Sequence, residues 1–479
     1  MISKKDFKKI SDWLWEIPKG FRSDMQVPAR IYASEELLEE IEDEALIQLV
    51  NTTTMPGIVK YAIAMPDIHS GYGPPIGGVG AIKLPEGVIS PGFVGYDENC
   101  GVRLLFSEYS EKEIKPHLDK LASQIQKEVP SGLGRGRAIK LSIEQINKIL
   151  EGGIPHLVER GYGEKEDIEN CEHKGKMEMA DASCVSEKAK NRGRDQVGTL
   201  GSGNHFLEIQ KVQDIFDKEI AKVFGLFKEQ IAVMIHTGSR GLGHQNCTDY
   251  LRLVIPAYQK YGIKLPDKEL ACVPFDSPEG QKFFKAMSAA CNFAWANRHM
   301  VAHYVRQAWK SVLGERVKLR LLYDVAHNIA KIEEHEVDGK KLKLIVHRKG
   351  ATRAFPPGHP ELPERYQKTA QPVIIPGSMG SPSYILVGTE KSKEAWYTVC
   401  HGAGRAMSRH EAMRTVSGHE VVKNLESKGI IVKCWSMRGI AEEAPIAYKN
   451  IDEIVEVVHN AGLSKKVARL VPLAVIKGE

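Results

Sequence analysis

"IAVMIHTGSRGLGH", residues 231–244, joins a run of five apolar residues to a histidine and a glycine-rich loop. A short apolar run of this kind reads as a buried strand. The glycines behind it let the backbone turn sharply and come close to a ligand. The same arrangement recurs along the chain: "VIIP" (373–376) enters "GSMGSPS", followed by "YILVG" (384–388). "WYTVC" (396–400) enters "HGAGRAMSRH", and "KLIVH" (343–347) enters "RKGATR". Helical periodicity is clear over 34–50, with Ser34 as N-cap and acids in the first turn, and over 281–313, a long and largely buried helix. Strands and helices alternate without a βαβ rhythm. The expected fold is therefore mixed α/β: packed mixed sheets surrounded by helices, with loops converging on a central site.

Length alone, 479 residues, would ordinarily give two to three domains. No repeat, low-complexity tract or Pro/Ser linker divides the chain, so a single catalytic domain over 1–479 is expected. The composition is globular, with 42% hydrophobic and 27% charged residues and a net charge of only +5. No segment approaches the ~20 consecutive apolar residues of a membrane span, and the N-terminal "MISKKDFKKISDWLWEI" forms no signal-peptide core. Eight scattered cysteines make no disulfide framework. The expectation is a cytoplasmic protein with thiolates available as ligands.

"GYDENCGVR" (95–103) places Asp97 and Cys100 three residues apart in a glycine-flanked turn. Alone, these are a turn aspartate and a small buried thiol. Histidines in strand-end contexts supply partners: His205 in "LGSGNHFLEI", His236 after "IAVMI", His327 in "LLYDVAHN", His401 opening "HGAGR" and His69 in "MPDIHSGYGPPIGG". With Asp97 and Cys100, the first three make a Cys/His/Asp set large enough for two first-row divalent metals, with the thiolate as bridge. Other clusters are weaker. Cys171, His173 and Cys184 lack a second pair at zinc-finger spacing. His299 and His303 share a helix face, but no glutamate follows His299, so the H-E-x-x-H pattern fails.

The "HGAGRAMSRH" stretch combines glycines with Arg405 before what reads as a helix start, a favourable place for phosphate. Ser378 and Ser383 lie in a loop that could wrap a nucleotide. Neither loop has Walker A or dinucleotide spacing. Arg192, Arg194, Arg240, Lys349, Arg353, Arg405 and Arg409 alternate with glycines in loops, as phosphate contacts do.

Taken together, "PDIHSGYGPPIGGVGA", "DENCGVR", "GTLGSGNHFLEI", "HTGSRGLG", "DVAHN", "HRKGATRA", "IPGSMGSPSYIL", "HGAGR" and "VIKGE" resemble the RtcB family of tRNA-splicing RNA ligases, in the family's order over residues 66–479. The resemblance implies a ligase, dependent on GTP and two Mn²⁺ ions, that joins an RNA 3′-phosphate or 2′,3′-cyclic phosphate to a 5′-hydroxyl. It implies that Cys100 bridges the metals, with Asp97 and His205 on one and His236 and His327 on the other. His401 takes GMP from GTP. Asn204, Ser378, Gly402, Gly404 and Arg405 lie around the phosphates, while Glu208, Ser383 and Lys477 read the guanine edge and Tyr448 packs on its face. Arg192, Arg240, Lys349 and Arg409 contact RNA phosphate. The implied partners are RNA, such as tRNA exon halves, and an archease-type activator protein.

The chemistry agrees. Neutral imidazole is available near pH 7 as a nucleotidyl acceptor, provided its other nitrogen donates to a protein group that the sequence does not identify. The divalent affinity order favours Zn²⁺ for a thiolate–imidazole set, against the implied manganese. Glu98 stands where the family pattern has an apolar residue, and its side chain is expected to point away from Asp97. The competing readings are a dinuclear metallophosphoesterase, which needs neither His401 nor Lys477, and a non-catalytic RNA-binding protein with structural metals.

Overall fold

The computed structural model describes residues 2–130, 140–315 and 317–478, so Glu479 of "VIKGE" falls outside them. Two large sheets dominate. The first has seven strands in the order Lys8–Ser11, Leu14–Ile17, Ala29–Tyr32, Ile58–His69, Ile76–Lys83, Lys340–Lys349 and Asn328–Val337. The second runs Arg320–Ala326, Gly101–Ser110, Gln230–Thr237, Phe206–Ile215, Ser464–Lys477, Ser383–Gly388 and Pro372–Ile375, with Ile431–Cys434 pairing in parallel to Ser464–Lys477. Its first and last strands approach each other, so the sheet nearly closes. A two-stranded ribbon, Ala351–Arg353 with Thr398–Cys400, follows from the first sheet toward the second.

Register in the second sheet explains why the ligand loops converge. Val102 and Phe206 both pair with His236, and Gly101 pairs with Thr237 and Ala326. Cys100, His205, His236 and His327 therefore occupy the same end of four neighbouring strands. Side chains alternate strictly along a strand, so this alignment depends on every pairing being in register.

The helix Pro278–Leu313 packs behind that end. Ser277 caps it by accepting from the Gly280 N–H at 3.1 Å, and Pro278 opens its first turn, where no N–H is needed. Its buried face includes Asn297 and Arg298, both fully enclosed. Asn297 accepts from the Gly198 and Thr199 N–H groups and donates to the carbonyls of Thr199 and Gly238. Arg298 donates to the carbonyls of Asn99 and Thr237 at 2.7 and 2.9 Å. Its charge is matched by both oxygens of Asp324. Three ligand loops are thus fastened to one helix, and removing either member of the Arg298–Asp324 pair costs about 3–5 kcal/mol.

The observed elements differ from the sequence expectation in several places. The 34–50 helix is two, Glu35–Glu40 and Asp43–Thr52, because Ile41 is extended (ψ 134°) and buries its side chain between them. "WYTVC" contributes only Thr398–Cys400: Trp396 and Tyr397 have φ of 57° and 50° and turn the chain before the strand. His236 lies inside its strand rather than after it. After His401 the chain stays irregular until Arg409–Thr415, so the glycines of "HGAGR" do not open a helix. Ser408 caps the N-terminus of that short helix by accepting from the Glu411 N–H. Among the described residues no helix is long and apolar enough to cross a membrane.

Candidate active site

A cleft of about 350 Å³ opens over the convergent strand ends, lined in part by Asp97, Cys100, His236, His327 and His401. The turn carrying Asp97 and Cys100 is stitched to the His327 loop. Asn99 N–H donates to the Asn328 carbonyl at 2.6 Å, His327 N–H to the Cys100 carbonyl at 2.7 Å, and Asn328 Nδ2 to the Asp97 carbonyl at 3.0 Å. Asn99 holds the turn in the left-handed region (φ 54°), which asparagine tolerates better than most residues. Its side chain donates to the Cys291 carbonyl and accepts from Arg298.

The candidate ligand atoms of Asp97, Cys100 and His205 lie within 4.8 Å of one another. His205 Nε2 is 2.8 Å from Asp97 Oδ2 and 3.5 Å from Cys100 Sγ. His236 Nε2 is 3.3 Å from the same sulfur. The His327 ring stands 5.5 Å from that of His236, its Nδ1 bonded to Thr352 Oγ1 at 3.0 Å and its buried Nε2 without a partner. The Cys100 sulfur thus lies within 3.5 Å of both His205 Nε2 and His236 Nε2.

Electrostatics favour cation binding. Burial raises the Asp97 carboxyl, but its interaction with the His205 ring and the hydrogen bonds from His205 and Ser239 outweigh it and hold it well below the usual carboxylate range. Burial lowers His205, His236 and His327, leaving neutral imidazoles with lone pairs. Burial and the neighbouring Asp97 push the Cys100 thiol up, a shift that a coordinated divalent cation reverses. Glu98 is turned away from this cluster: fully buried, it accepts from Asn246 Nδ2 at 3.1 and 2.9 Å, and burial raises its carboxyl well above the ordinary value.

His401 follows the ribbon strand Thr398–Cys400, with its ring 5.4 Å from that of His327. Its Nδ1 lies 2.5 Å from Oδ2 of Asp67, a fully buried residue of the Ile58–His69 strand. The same oxygen accepts from the main-chain N–H groups of His401 and Gly402 at 2.9 and 3.2 Å. Burial raises Asp67, but its interaction with the His401 ring and the hydrogen bonds from His401 prevail and hold it below its ordinary value. An ionised carboxylate can only accept, so Nδ1 carries the proton in the neutral form of the ring, and the lone pair of that form falls on Nε2.

Beyond His401 the cleft is walled by Asn204, Ser378, Gly402, Gly404, Arg405, Arg409, Tyr448 and Lys477. Buried Glu443 organises this wall. It accepts from Arg405 at 2.8 Å, from Arg409 at 2.9 Å and from the Tyr448 hydroxyl. Lys477 donates to the carbonyls of Gly203 and, at 2.9 Å, His205; burial lowers it to about 8. Glu208 and Ser383 lie just behind the wall, joined through Gln210 Nε2 at 2.6 and 3.1 Å. Burial raises Glu208 to about 8.

The predicted basic residues separate. Arg240 is half-buried near His205, donating to Thr199 Oγ1. Arg192 is exposed, with Nη1 on Gln245. Lys349 reaches the cleft, but its ammonium is held by the carbonyls of Tyr72 and Pro74 at 2.5 and 2.8 Å. Arg194 turns back to the Leu141 carbonyl, and Arg353 joins a buried network with Gln371 and Glu361. His299 is bonded to Arg103 and the Tyr162 carbonyl. Cys171, His173 and Cys184 do not form a ligand group: among the described residues the one such cluster is Asp97, Cys100 and His205. Sequence reasoning missed Asp67 and Glu443.

A cleft with a Cys/His/Asp cluster at its base, a carboxylate-oriented histidine beside it and cations on its wall defines a metal-dependent enzyme that works on phosphate groups. A family model described as tRNA-splicing ligase RtcB matches residues 48–478, and the chain belongs to that family. It is 53% identical over 475 residues to a tRNA-splicing ligase RtcB of Archaeoglobus fulgidus, covering 98% of both chains. Relatives of the same name from Thermococcus kodakarensis (52% over 476 residues, 98% of both chains) and Methanococcus maripaludis (49% over 479, 99% of this chain and 100% of the relative) match over a similar span.

Proposed function

We propose that this chain, an RNA ligase of tRNA splicing by its family, acts as one GTP- and manganese-dependent catalytic domain. It joins RNA 3′-phosphate or 2′,3′-cyclic phosphate ends to 5′-hydroxyl ends in the cytoplasm, with an archease-type activator as partner. The single observation carrying the mechanism is the Asp67–His401 pair set beside the Cys100 cluster.

Asp97, Cys100 and His205, with His236 and the unpartnered Nε2 of His327 close by, are the residues that would hold the two Mn²⁺ ions, their carboxylate, thiol and imidazole donors being suited to divalent cations. When bound, the ions supply charge neutralisation for phosphate oxygens. Asp67 holds the Nδ1 proton of His401, so Nε2 attacks the GTP α-phosphorus. A P–N bond forms, the α–β P–O bond breaks and pyrophosphate leaves. Asp67 then offsets the positive charge that the substituted ring acquires. Asn204 and Arg405 bind the GTP phosphates, and Arg409, with Arg192, Arg240 and Lys349, contacts RNA phosphate. Tyr448, fixed by Glu443, supports the base face, while Glu208, Ser383 and Lys477 are placed for the guanine edge. A 2′,3′-cyclic end is first opened by water to a 3′-phosphate; GMP next passes to that RNA 3′-phosphate, and the 5′-hydroxyl of the second strand attacks the activated phosphate and displaces GMP. A metallophosphoesterase has no use for this histidine and purine pocket.

The test is incubation with α-³²P-labelled GTP and Mn²⁺ without RNA, followed by denaturing electrophoresis, with labelled ATP as control. An acid-labile adduct from GTP, present on the unaltered protein and absent from His401→Ala, is expected. No adduct under any divalent metal, with or without an activator, overturns the mechanism.

A further inference from the structure

The arm of the cleft away from Lys477 is lined by Tyr72 and Tyr96, two rings that the proposed nucleotide pocket does not use. They meet at 5.7 Å with an interplanar angle of 73°, forming a corner. His244, exposed on the helix Arg240–Lys260, stacks on Tyr96 at 5.0 Å and 28° and extends this aromatic surface outward. Tyr96 directly precedes Asp97, so the series of rings runs from the protein surface to the candidate metal cluster.

Nothing in the local structure accounts for the three rings. Neither tyrosine hydroxyl, nor either His244 ring nitrogen, has a hydrogen-bond partner among the described residues. All three are partly exposed, whereas rings that build the core of this protein, such as Tyr323 and Tyr366, are enclosed and donate or accept hydrogen bonds. At the outer end of the series Arg192 is close enough to lower the His244 imidazole after burial has done so, a cation suited to a polyanion entering there. Half-exposed aromatic faces beside cations are the surface on which unpaired nucleobases stack, and stacking tolerates any sequence because every base has a π-face. An enzyme that must hold varied RNA ends without reading them needs that kind of contact.

We propose that Tyr72, Tyr96 and His244 form a platform on which an unpaired base at the end of an RNA strand stacks, fixing the strand so that its terminal group lies over the Cys100 cluster. This rests on the RNA-ligase reading but not on the His401 mechanism, and it assigns the rings a positioning role rather than a chemical one.

The test uses equilibrium binding to the full chain, so that it does not depend on turnover. Fluorescein-labelled oligoribonucleotides carry either a 3′-phosphate or a 5′-hydroxyl end, with the terminal nucleotide intact, abasic or replaced by 2-aminopurine. Loss of the terminal base is expected to weaken binding of one strand roughly 5- to 150-fold, and the other strand little, which assigns the strand. Tyr72→Ala and His244→Ala should bind the intact end more weakly but show no further loss with the abasic end. Both should also lose the 2-aminopurine quenching seen with the unaltered protein. Tyr72→Phe should restore quenching and affinity. Equal losses on intact and abasic ends, unchanged binding by the alanine variants, or quenching that survives them each overturn the platform. The α-³²P-GTP adduct assay, run without RNA on the same proteins, separates this outcome from failure of the histidine mechanism.

Discussion

Asp67→Asn isolates the contribution of charge to His401. The substitution keeps the side chain's shape, and the amide oxygen can still accept the His401 and Gly402 N–H groups now bonded to Oδ2 at 2.9 and 3.2 Å. It removes the negative charge facing Nδ1 at 2.5 Å in a fully buried position. That charge matters most when Nε2 has bonded to phosphorus and the ring is cationic. A hydrogen bond to a charged group is worth about 1.5–3 kcal/mol, so adduct formation should slow roughly 10- to 150-fold. The assay is the initial rate of protein–GMP formation at saturating GTP and Mn²⁺. As a control, RNA already carrying the 3′-terminal activated guanylate is joined to a 5′-hydroxyl strand, a step that does not need His401 as nucleophile. An unchanged rate of adduct formation would refute the reasoning. So would an equal loss in the control step, because Asp67 would then be acting on the whole site and not on the imidazole.

Three other outcomes are expected. Cys100→Ala should keep the circular dichroism of the unaltered protein, weaken Co²⁺ binding by about 100-fold or more and abolish the thiolate-to-cobalt absorption band. Asn99→Ala should be less stable than Asn99→Gly by roughly 1–2 kcal/mol in thermal denaturation, because only glycine takes φ 54° without strain once the bonds to Cys291 and Arg298 are lost. Glu208→Gln tests a raised carboxyl. With a folded value of about 8 and an unfolded value of about 4.3, the folded state holds the extra proton between them. The unaltered protein therefore loses stability as pH rises across that window. The glutamine variant should melt like the unaltered protein near pH 4, gain on it progressively up to pH 8, and gain nothing further above. A gap that shrinks with rising pH would show that Glu208 is ionised in the folded state.

Asp97, Cys100, His205, His236 and His327 each stand out in the sequence because they lie where an apolar run meets a glycine loop, while their grouping into one site rests on the resemblance to a known family. The sequence could not reveal which edges adjoin, since the order of strands depends on pairings hundreds of residues apart. Asp67 was hidden for the same reason. Its partner lies 334 residues along the chain, and in "MPDIHSG" the histidine two positions later drew the eye. The local hint was an aspartate on an otherwise apolar strand, a buried charge that needs a partner. Glu443 gave less still, since one of two adjacent acids in "IAEEAP" has no distinguishing spacing. Two of the basic loop residues hold groups of the protein itself, enclosed Arg353 binding Gln371 and Glu361 and half-buried Arg194 the Leu141 carbonyl, because arginine in a glycine loop is as able to clamp carbonyls and carboxylates as phosphate.

The strand Ser464–Lys477 is the last in chain order among the described residues, yet it lies in the middle of the second sheet, between Phe206–Ile215 and Ser383–Gly388. During synthesis, the two halves of that sheet must wait for it, each exposing an unpaired strand edge of the kind that invites aggregation. The nascent chain thus carries every candidate metal ligand long before it can close the sheet beside them. Without Ser464–Lys477 the sheet stays split, with the edges of Phe206–Ile215 and Ser383–Gly388 that face it unpaired.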